Sequence, residues 1–111
     1  MKHRLIKLFA LALLSTQLLS GCSEPTTGAV EVHWDRDNCE RCRMVLSDHQ
    51  HAAQIRFVNE KQKSVVYKFD DVGCAVIWLE DKPWRDTNST EIWVTDYTDG
   101  KWIDAKTAYY V

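Results

Sequence analysis

The sequence lacks the signatures of several large enzyme classes. It has no Ser-His-Asp arrangement, no glycine-rich phosphate loop and no HExxH motif, and no internal repeat or low-complexity segment. Hydrolases, nucleotide-binding enzymes and metalloproteases depend on such motifs for their nucleophile, phosphate cradle or zinc. We therefore expect a protein that is not an enzyme.

Basic charge is also scarce. The 14 Lys and Arg residues include Lys2, Arg4 and Lys7 near the N-terminus, so the remaining 11 stand against 16 acidic residues. Nucleic-acid binding requires a basic surface, because neutralising phosphates supplies most of the non-specific affinity. The sequence therefore predicts no nucleic-acid partner, and any membrane attachment must come from something other than attraction to anionic lipid.

The apolar run near the N-terminus is shorter than a membrane-spanning helix usually needs. It covers Leu5 to Leu19 and follows a positively charged segment, which is typical of a signal peptide. Small residues then precede Cys22, as in a bacterial lipobox, where the chain is cleaved before a cysteine that becomes acylated. We predict a signal peptide at residues 1–21, a lipidated flexible tether at 22–28 and one domain at 29–111.

Acylation of Cys22 has a consequence for location. The protein would be anchored by lipid in the bacterial cell envelope and face the periplasm, without spanning the membrane. Ser23 after the acylated cysteine favours the outer membrane over the inner one.

Patterns of apolar residues predict an α+β fold for the domain. Alternation with polar residues, together with turn residues between apolar segments, predicts strands at residues 30–34, 53–57, 65–69, 92–94 and 102–104. The result is a small single domain with a mainly antiparallel sheet and one packed helix.

The helix is predicted between the strand at residues 65–69 and Pro83. Asp70 or Asp71 is suited to cap its N-terminus. Cys74, Ile77 and Trp78 make it apolar on nearly every side, which favours a partner protein on one surface. The predicted buried stripe is Val72, Ala75, Val76 and Leu79.

A cluster of sulfur donors follows the first predicted strand. Cys39, Cys42 and Met44 lie within six consecutive positions. Thiolate together with thioether favours Cu(I) among the biological metals. With Cys74, the exported chain beyond Cys22 has an odd number of thiols, so at least one has no intramolecular partner.

Two alternatives remain open for these residues. A Cys39–Cys42 disulfide with a buried Cys74 is an alternative to metal binding, because Cys39 and Cys42 cannot be oxidised together and also hold copper. His49 and His51 would share one face of an extended segment and are the best histidine candidates for further copper donors, although surface histidines are common.

The ordered set of motifs resembles the NosL family, whose members are copper-binding lipoproteins that assist maturation of the copper sites of nitrous-oxide reductase. The resemblance implies a β-β-α-β module and Cu(I) held by Cys42 and Met44. Family members typically carry a second similar half, and this chain resembles the first, so we expect a homodimer or a second-half partner. The motifs are Cys39-x-x-Cys42-x-Met44, Phe69-Asp70-Asp71-x-Gly73-Cys74, Trp78-Leu79, Val94-x-Asp96, Trp102-Ile103-Asp104-Ala105 and Ala108-Tyr109-Tyr110-Val111.

The leading functional prediction is a lipid-anchored periplasmic metallochaperone. It would exchange Cu(I) with a copper-donating or copper-receiving periplasmic protein, and deliver it to an exported cuproenzyme such as nitrous-oxide reductase. Two other functional hypotheses remain. One is a thiol-disulfide redox protein using Cys39 and Cys42. The other is an anchored interaction module with a structural Zn site built from Cys39, Cys42, Cys74 and a histidine.

Overall fold

A computed structural model describes residues 1–7, 21 and 25–110 of the chain. Residues 2–7 are helical (α1), whereas Cys22 and most of the predicted signal peptide lie outside the described residues. No helix in the described ranges is long and apolar enough to cross a membrane. The domain that follows is organised by a sheet.

Four antiparallel strands form this sheet, in the order β2-β1-β3-β4. One helix, α2, follows β2 and packs against β1 and β2. The predicted α+β class, antiparallel sheet and packed helix are confirmed. The element bounds are β1 Ala53–Val58, β2 Ser64–Phe69, α2 Val72–Leu79, β3 Glu91–Thr95 and β4 Trp102–Asp104.

Local side-chain chemistry explains the two hairpin turns. Between β1 and β2, the Asn59 side chain accepts hydrogen bonds from the backbone N–H groups of Lys61 and Lys63, each at 3.0 Å. Between β3 and β4, Gly100 adopts a φ of 72°, a left-handed conformation that glycine reaches without steric penalty. Asp99 and Gly100 therefore form the turn of this hairpin.

The start of α2 is capped by Asp71. Its side chain accepts a hydrogen bond of 2.7 Å from the backbone N–H of Cys74, which satisfies one of the unpaired donors at the helix start. The predicted stripe holds for the buried Ala75 and Leu79 but is wrong for Val76, which is 48% exposed. Trp78 packs inward instead, because the broad surface of the first hairpin offers aromatic partners at Tyr67 and Phe69.

The predicted strand at residues 30–34 is wrong, although its alternation of buried and exposed residues is correct. The segment has no strand pairing. Val30 instead exchanges two hydrogen bonds of 2.8 Å with the buried side-chain amide of Gln54, one through its N–H and one through its C=O. A side chain of the central strand thus replaces the neighbouring backbone that a strand would require.

Residues just before this segment contact the same side of β1. The Arg56 guanidinium donates to the carbonyl oxygens of Gly28 at 2.8 Å and Pro25 at 3.1 Å. The Glu91 carboxylate accepts from the N–H of Gly28 at 3.0 Å. Residues 25–30 therefore lie along the face of β1 that carries Gln54 and Arg56. From there the chain continues to residues 38–45, the sulfur loop, which contains Cys39 and Cys42.

Candidate metal centre

The sulfur motif forms a tight loop. Asn38 and Val45 make an isolated antiparallel bridge, and inside it the N–H of Cys39 donates to the carbonyl of Met44 at 2.8 Å. The N–H of Arg43 donates back to the carbonyl of Cys39 at 3.0 Å. Arg43 has a φ of 64°, which lets the chain reverse and turns Cys39 and Cys42 towards one side.

The loop is attached to the sheet next to the helix start. The N–H of Glu40 donates to the carbonyl of Lys68 in β2 at 2.8 Å. The chain leaves β2 at Phe69 and enters α2 at Val72, so residues of the β2–α2 junction lie beside the loop. This contact brings together side chains that are far apart in sequence.

Four potential metal ligands meet at this place. One ligand atom each from Cys39, Cys42, Asp70 and Cys74 lies within 4.8 Å of all the others. Cys39 is fully buried, Cys42 and Cys74 are half-buried, and all three are free thiols. Three sulfurs and a carboxylate at this spacing fit a soft metal ion, because thiolates select metals such as Cu(I) and Zn²⁺.

The Asp70 carboxylate is the hydrogen-bonding centre of the group. Its Oδ1 accepts a hydrogen bond from the Sγ of Cys42 at 3.4 Å. Burial alone would raise the pKa of this carboxyl, but hydrogen bonds with the thiols of Cys39, Cys74 and Cys42 hold the pKa below its ordinary value of 3.8. Asp70 is therefore ionised at neutral pH.

The same contacts act on the thiols in the opposite direction. Burial, assisted by the negative charge of Asp70, raises the pKa of the Cys74 thiol to about 12. The backbone N–H of Met44 lowers the pKa of Cys42, yet burial and the neighbouring Cys39 and Asp70 outweigh it, so that pKa is raised. Without a metal, Cys42 and Cys74 hold their protons at neutral pH; a bound cation would displace them.

The other predicted ligands lie elsewhere. The Met44 side chain is 62% exposed, and its contact with Cys39 is made by its backbone carbonyl. The His49 ring stacks on Trp34 with a centroid separation of 3.9 Å. The Nδ1 of His51 is 2.7 Å from a carboxylate oxygen of Asp48. The four-ligand group includes neither histidine, and their assignment as copper donors stays a prediction.

Neither Cys74 nor Asp70 was predicted as a copper ligand. The sequence predicts Cys74 as a buried free thiol or as a ligand of the alternative zinc site, and Asp70 as a candidate helix cap. Two signals were available. The odd number of thiols left Cys74 without an assigned partner, and only one of the two adjacent aspartates is needed to cap the helix.

Comparison with known proteins identifies the family. The NosL family model matches residues 30–111, which is most of the chain and contains the complete four-ligand group. No curated protein and no solved structure shows significant similarity to the chain. The cysteine-rich group and the family match together fit a copper-binding role. On the extent of this match, the chain belongs to the NosL family.

Proposed function

We propose that this protein is a Cu(I) metallochaperone, which carries copper to an exported cuproenzyme of the nitrous-oxide reductase type. The observation that carries the proposal is the convergence of three free thiols, Cys39, Cys42 and Cys74, in a NosL-family domain. Three thiolates match the preference of Cu(I) for soft ligands and low coordination numbers. Family membership supplies the expected cargo, and this sulfur group supplies its ligands.

Carriage requires that the ion can leave again. Cys39 is fully buried, whereas Cys42 lies on a loop and is half-buried. A thiolate or imidazole of the recipient would bind the copper as the bond to Cys42 breaks, so the ion passes by ligand exchange without a change in oxidation state. No substrate is converted, and the protein acts as a carrier and not as an enzyme.

Met44 has a separate part in this proposal. Its thioether is exposed and lies two residues beyond Cys42. A neutral soft donor at the surface is suited to hold Cu(I) briefly while thiolates are exchanged. Met44 therefore acts in transfer, with Cys39, Cys42 and Cys74 as the resting ligands.

The location of the protein is part of the proposal. Acylation at Cys22 would anchor the domain in the bacterial cell envelope, facing the periplasm, where exported cuproenzymes are assembled. The 25–30 segment lies against β1, so the domain would stand close to its anchor instead of at the end of a long free linker.

The redox alternative has less support. Redox CxxC motifs of the thioredoxin type stand where a strand leads into a helix. Here Cys39 and Cys42 lie on a turn-rich loop, and the following regular element is β1. A metal carrier is the better match for this loop and for the third thiol, Cys74, beside it.

A competition titration tests the proposed function. The reduced full-length protein is titrated with Cu(I) against a coloured Cu(I) chelator, then mixed with a copper-free acceptor cuproenzyme. We expect one Cu(I) per chain, weaker binding in Cys42→Ser, and a slower transfer in Met44→Leu at unchanged affinity. Failure of the reduced wild type to compete with the chelator would overturn the proposal.

A further inference from the structure

We infer that the 25–30 segment orients the anchored domain, with the β1–β2 turn towards the lipid head groups and the metal centre towards the aqueous phase. Copper is then exchanged with a soluble periplasmic protein and not with one embedded in the membrane. The inference rests on the proposed function, from which it takes the lipid anchor at Cys22 and the exchange of copper.

The 25–30 segment is fixed to the sheet at both ends. Gln54 of β1 holds one end, through two hydrogen bonds of 2.8 Å with the backbone of Val30. Arg56 of β1 holds the other end, through a hydrogen bond of 3.1 Å to the carbonyl of Pro25. Both side chains are buried, so release of the segment would leave buried polar groups without partners, which costs free energy. The segment therefore behaves as part of the domain.

The segment meets the sheet beside the β1–β2 turn. The hydroxyl of Ser64, the first residue of β2, donates to the carbonyl of Thr26 at 3.4 Å. From there the segment runs along β1 from Arg56 back to Gln54, in the direction opposite to the strand. Its N-terminal end therefore lies next to the turn formed by residues 59–63.

The metal centre lies near the opposite end of the sheet. The sulfur loop is hydrogen-bonded to the carbonyl of Lys68, close to the C-terminal end of β2. Since a strand rises about 3.4 Å per residue, the 6 residues of β2 place its two ends about 17 Å apart. Most of the length of the sheet thus separates the metal centre from the start of the 25–30 segment.

The metal centre and the 25–30 segment are also on opposite faces of the sheet. Trp78 of α2 packs on Tyr67, which pairs with Ile55 of β1. Arg56 is the next residue along β1, so its side chain and the segment that it holds lie on the other face. The sheet therefore separates the segment from α2, whose first turn supplies one ligand of the metal centre.

Chain length limits the distance between the domain and the membrane. Pro25 follows Cys22 by 3 residues, which span at most about 11 Å. The head-group layer above the acyl chains takes up about 5–8 Å of that length. The start of the segment and the neighbouring β1–β2 turn therefore lie next to the head groups of the anchored protein, and the metal centre lies on the side away from them.

A reactive lipid tests this orientation in the full-length lipoprotein on phosphatidylcholine vesicles. A small fraction of the lipid carries an amine-reactive ester on its head group, and mass spectrometry locates the lysines that it modifies. Lys61 and Lys63 are exposed in the β1–β2 turn, whereas Lys101 is exposed at the end of the sheet that carries the metal centre. A water-soluble ester of the same chemistry corrects for the reactivity of each lysine.

The expected result is a difference between the two ends of the sheet. Relative to the soluble ester, the lipid ester should modify Lys61 and Lys63 at least about tenfold more than Lys101, because the length of β2 exceeds the reach of a short head-group linker. Equal lipid labelling at both ends, or preferential labelling of Lys101, would overturn the inference. So would the absence of an acyl chain at Cys22.

An insertion in front of the segment removes the constraint and leaves the residues of the domain unchanged. About 12 Gly and Ser residues between Glu24 and Pro25 add about 17–21 Å of flexible chain, so lipid labelling should become similar at the two ends of the sheet. The same insertion after Val111 is the control and should keep the wild-type pattern. A wild-type pattern that survives the insertion before Pro25 would show that the 25–30 segment does not orient the domain.

Copper transfer separates this inference from the proposed function. The reduced, copper-loaded protein on vesicles should deliver Cu(I) to a soluble acceptor at the same rate as the protein in detergent, because the metal centre faces the aqueous phase. Slower transfer from vesicles would overturn the inference. A protein that binds no Cu(I) in either form would overturn the proposed function, while the lysine labelling would still report the orientation of the domain.

Discussion

The thiol of Cys42 donates a hydrogen bond of 3.4 Å to the carboxylate of Asp70, across 28 positions of sequence. One partner belongs to the sulfur loop and the other to the junction between β2 and α2. This hydrogen bond attaches the sulfur loop to the start of α2, so the cysteines of the loop lie against the domain.

Cys74 should contribute to copper binding as strongly as the two cysteines of the CxxC motif. In Cys74→Ser the third sulfur is lost. We expect the Cu(I) affinity to fall by at least about 10-fold, because the loss of a residue that only orients a metal ligand already has an effect of this size. Chelator competition measures this change, with Met44→Leu as the control that leaves the three thiols intact. A Cys74→Ser variant with wild-type affinity would contradict the three-thiol site.

Acid should weaken metal binding. The pKa of Cys74 is raised to about 12 and that of Cys42 is raised too, so below these values the thiols carry protons that the metal must displace. The Asp70 pKa is below 3.8, so Asp70 adds no proton between pH 6 and 8. Apparent Cu(I) affinity should therefore rise with pH across this range.

The same reasoning gives a difference in slope. Cys74 releases one proton when it binds the metal. In Cys74→Ser the slope of the logarithm of Cu(I) affinity against pH should therefore fall by about one, which is a factor of about ten in affinity per pH unit. Competition titrations at several pH values, corrected for protonation of the chelator, provide the two slopes. Identical slopes would mean that Cys74 stays protonated and does not bind the metal.

Arg56 should stabilise the whole domain. Its side chain is 4% exposed, and it bonds the carbonyls of Gly28 and Pro25 and lies 3.6 Å from the Glu91 carboxylate. Arg56→Ala leaves these acceptors without their buried cation, so we expect the free energy of unfolding to fall by about 3 kcal/mol. Chemical denaturation followed by tryptophan fluorescence measures the loss.

Arg85 is the matched control for Arg56. It pairs with Asp86 and donates a hydrogen bond of 2.9 Å to the carbonyl of Glu80, and both contacts are exposed to solvent. Arg85→Ala should cost about 1 kcal/mol or less. If the two arginine variants were equally stable, the contacts of Arg56 with residues 25–28 would not hold the segment in solution.

The outer face of α2 should bind a partner, and a second copy of this chain is the simplest one. Val76 and Ile77 are each about half exposed, at 48% and 50%. Ile77 is one turn from Cys74, so a partner on this face would lie close to the metal centre. Sedimentation should show association that rises with concentration and is abolished in Ile77→Glu. A monomer mass at every concentration would contradict this expectation.

Much of the fold could be predicted because its signals are local. Alternation predicted the strands β1 and β2, and two adjacent aspartates located the start of α2. The strand predicted at residues 30–34 failed because Val30 pairs with the Gln54 side chain, and a period of two does not distinguish an amide side chain from a backbone partner. Val76 was misplaced because nearly every residue of α2 is apolar, so the pattern alone cannot select the buried face.

The site was less accessible to prediction than the fold. The sequence spacing of Cys39 and Cys42 identified the loop, but nothing local connects it to Asp70 or Cys74. Their meeting depends on the hydrogen bond between Glu40 and Lys68 and on the order of the strands. Contacts between segments that are far apart in sequence leave no periodic pattern of apolar residues.

Copper K-edge X-ray absorption of the reduced protein loaded with one Cu(I) identifies the ligand atoms directly. We expect a first shell of three sulfur atoms without nitrogen, in the wild type and in Met44→Leu alike, and a shell reduced to two sulfurs in Cys74→Ser. A shell containing imidazole nitrogen, or one that loses a sulfur in Met44→Leu while Cys74→Ser keeps all three, would contradict it.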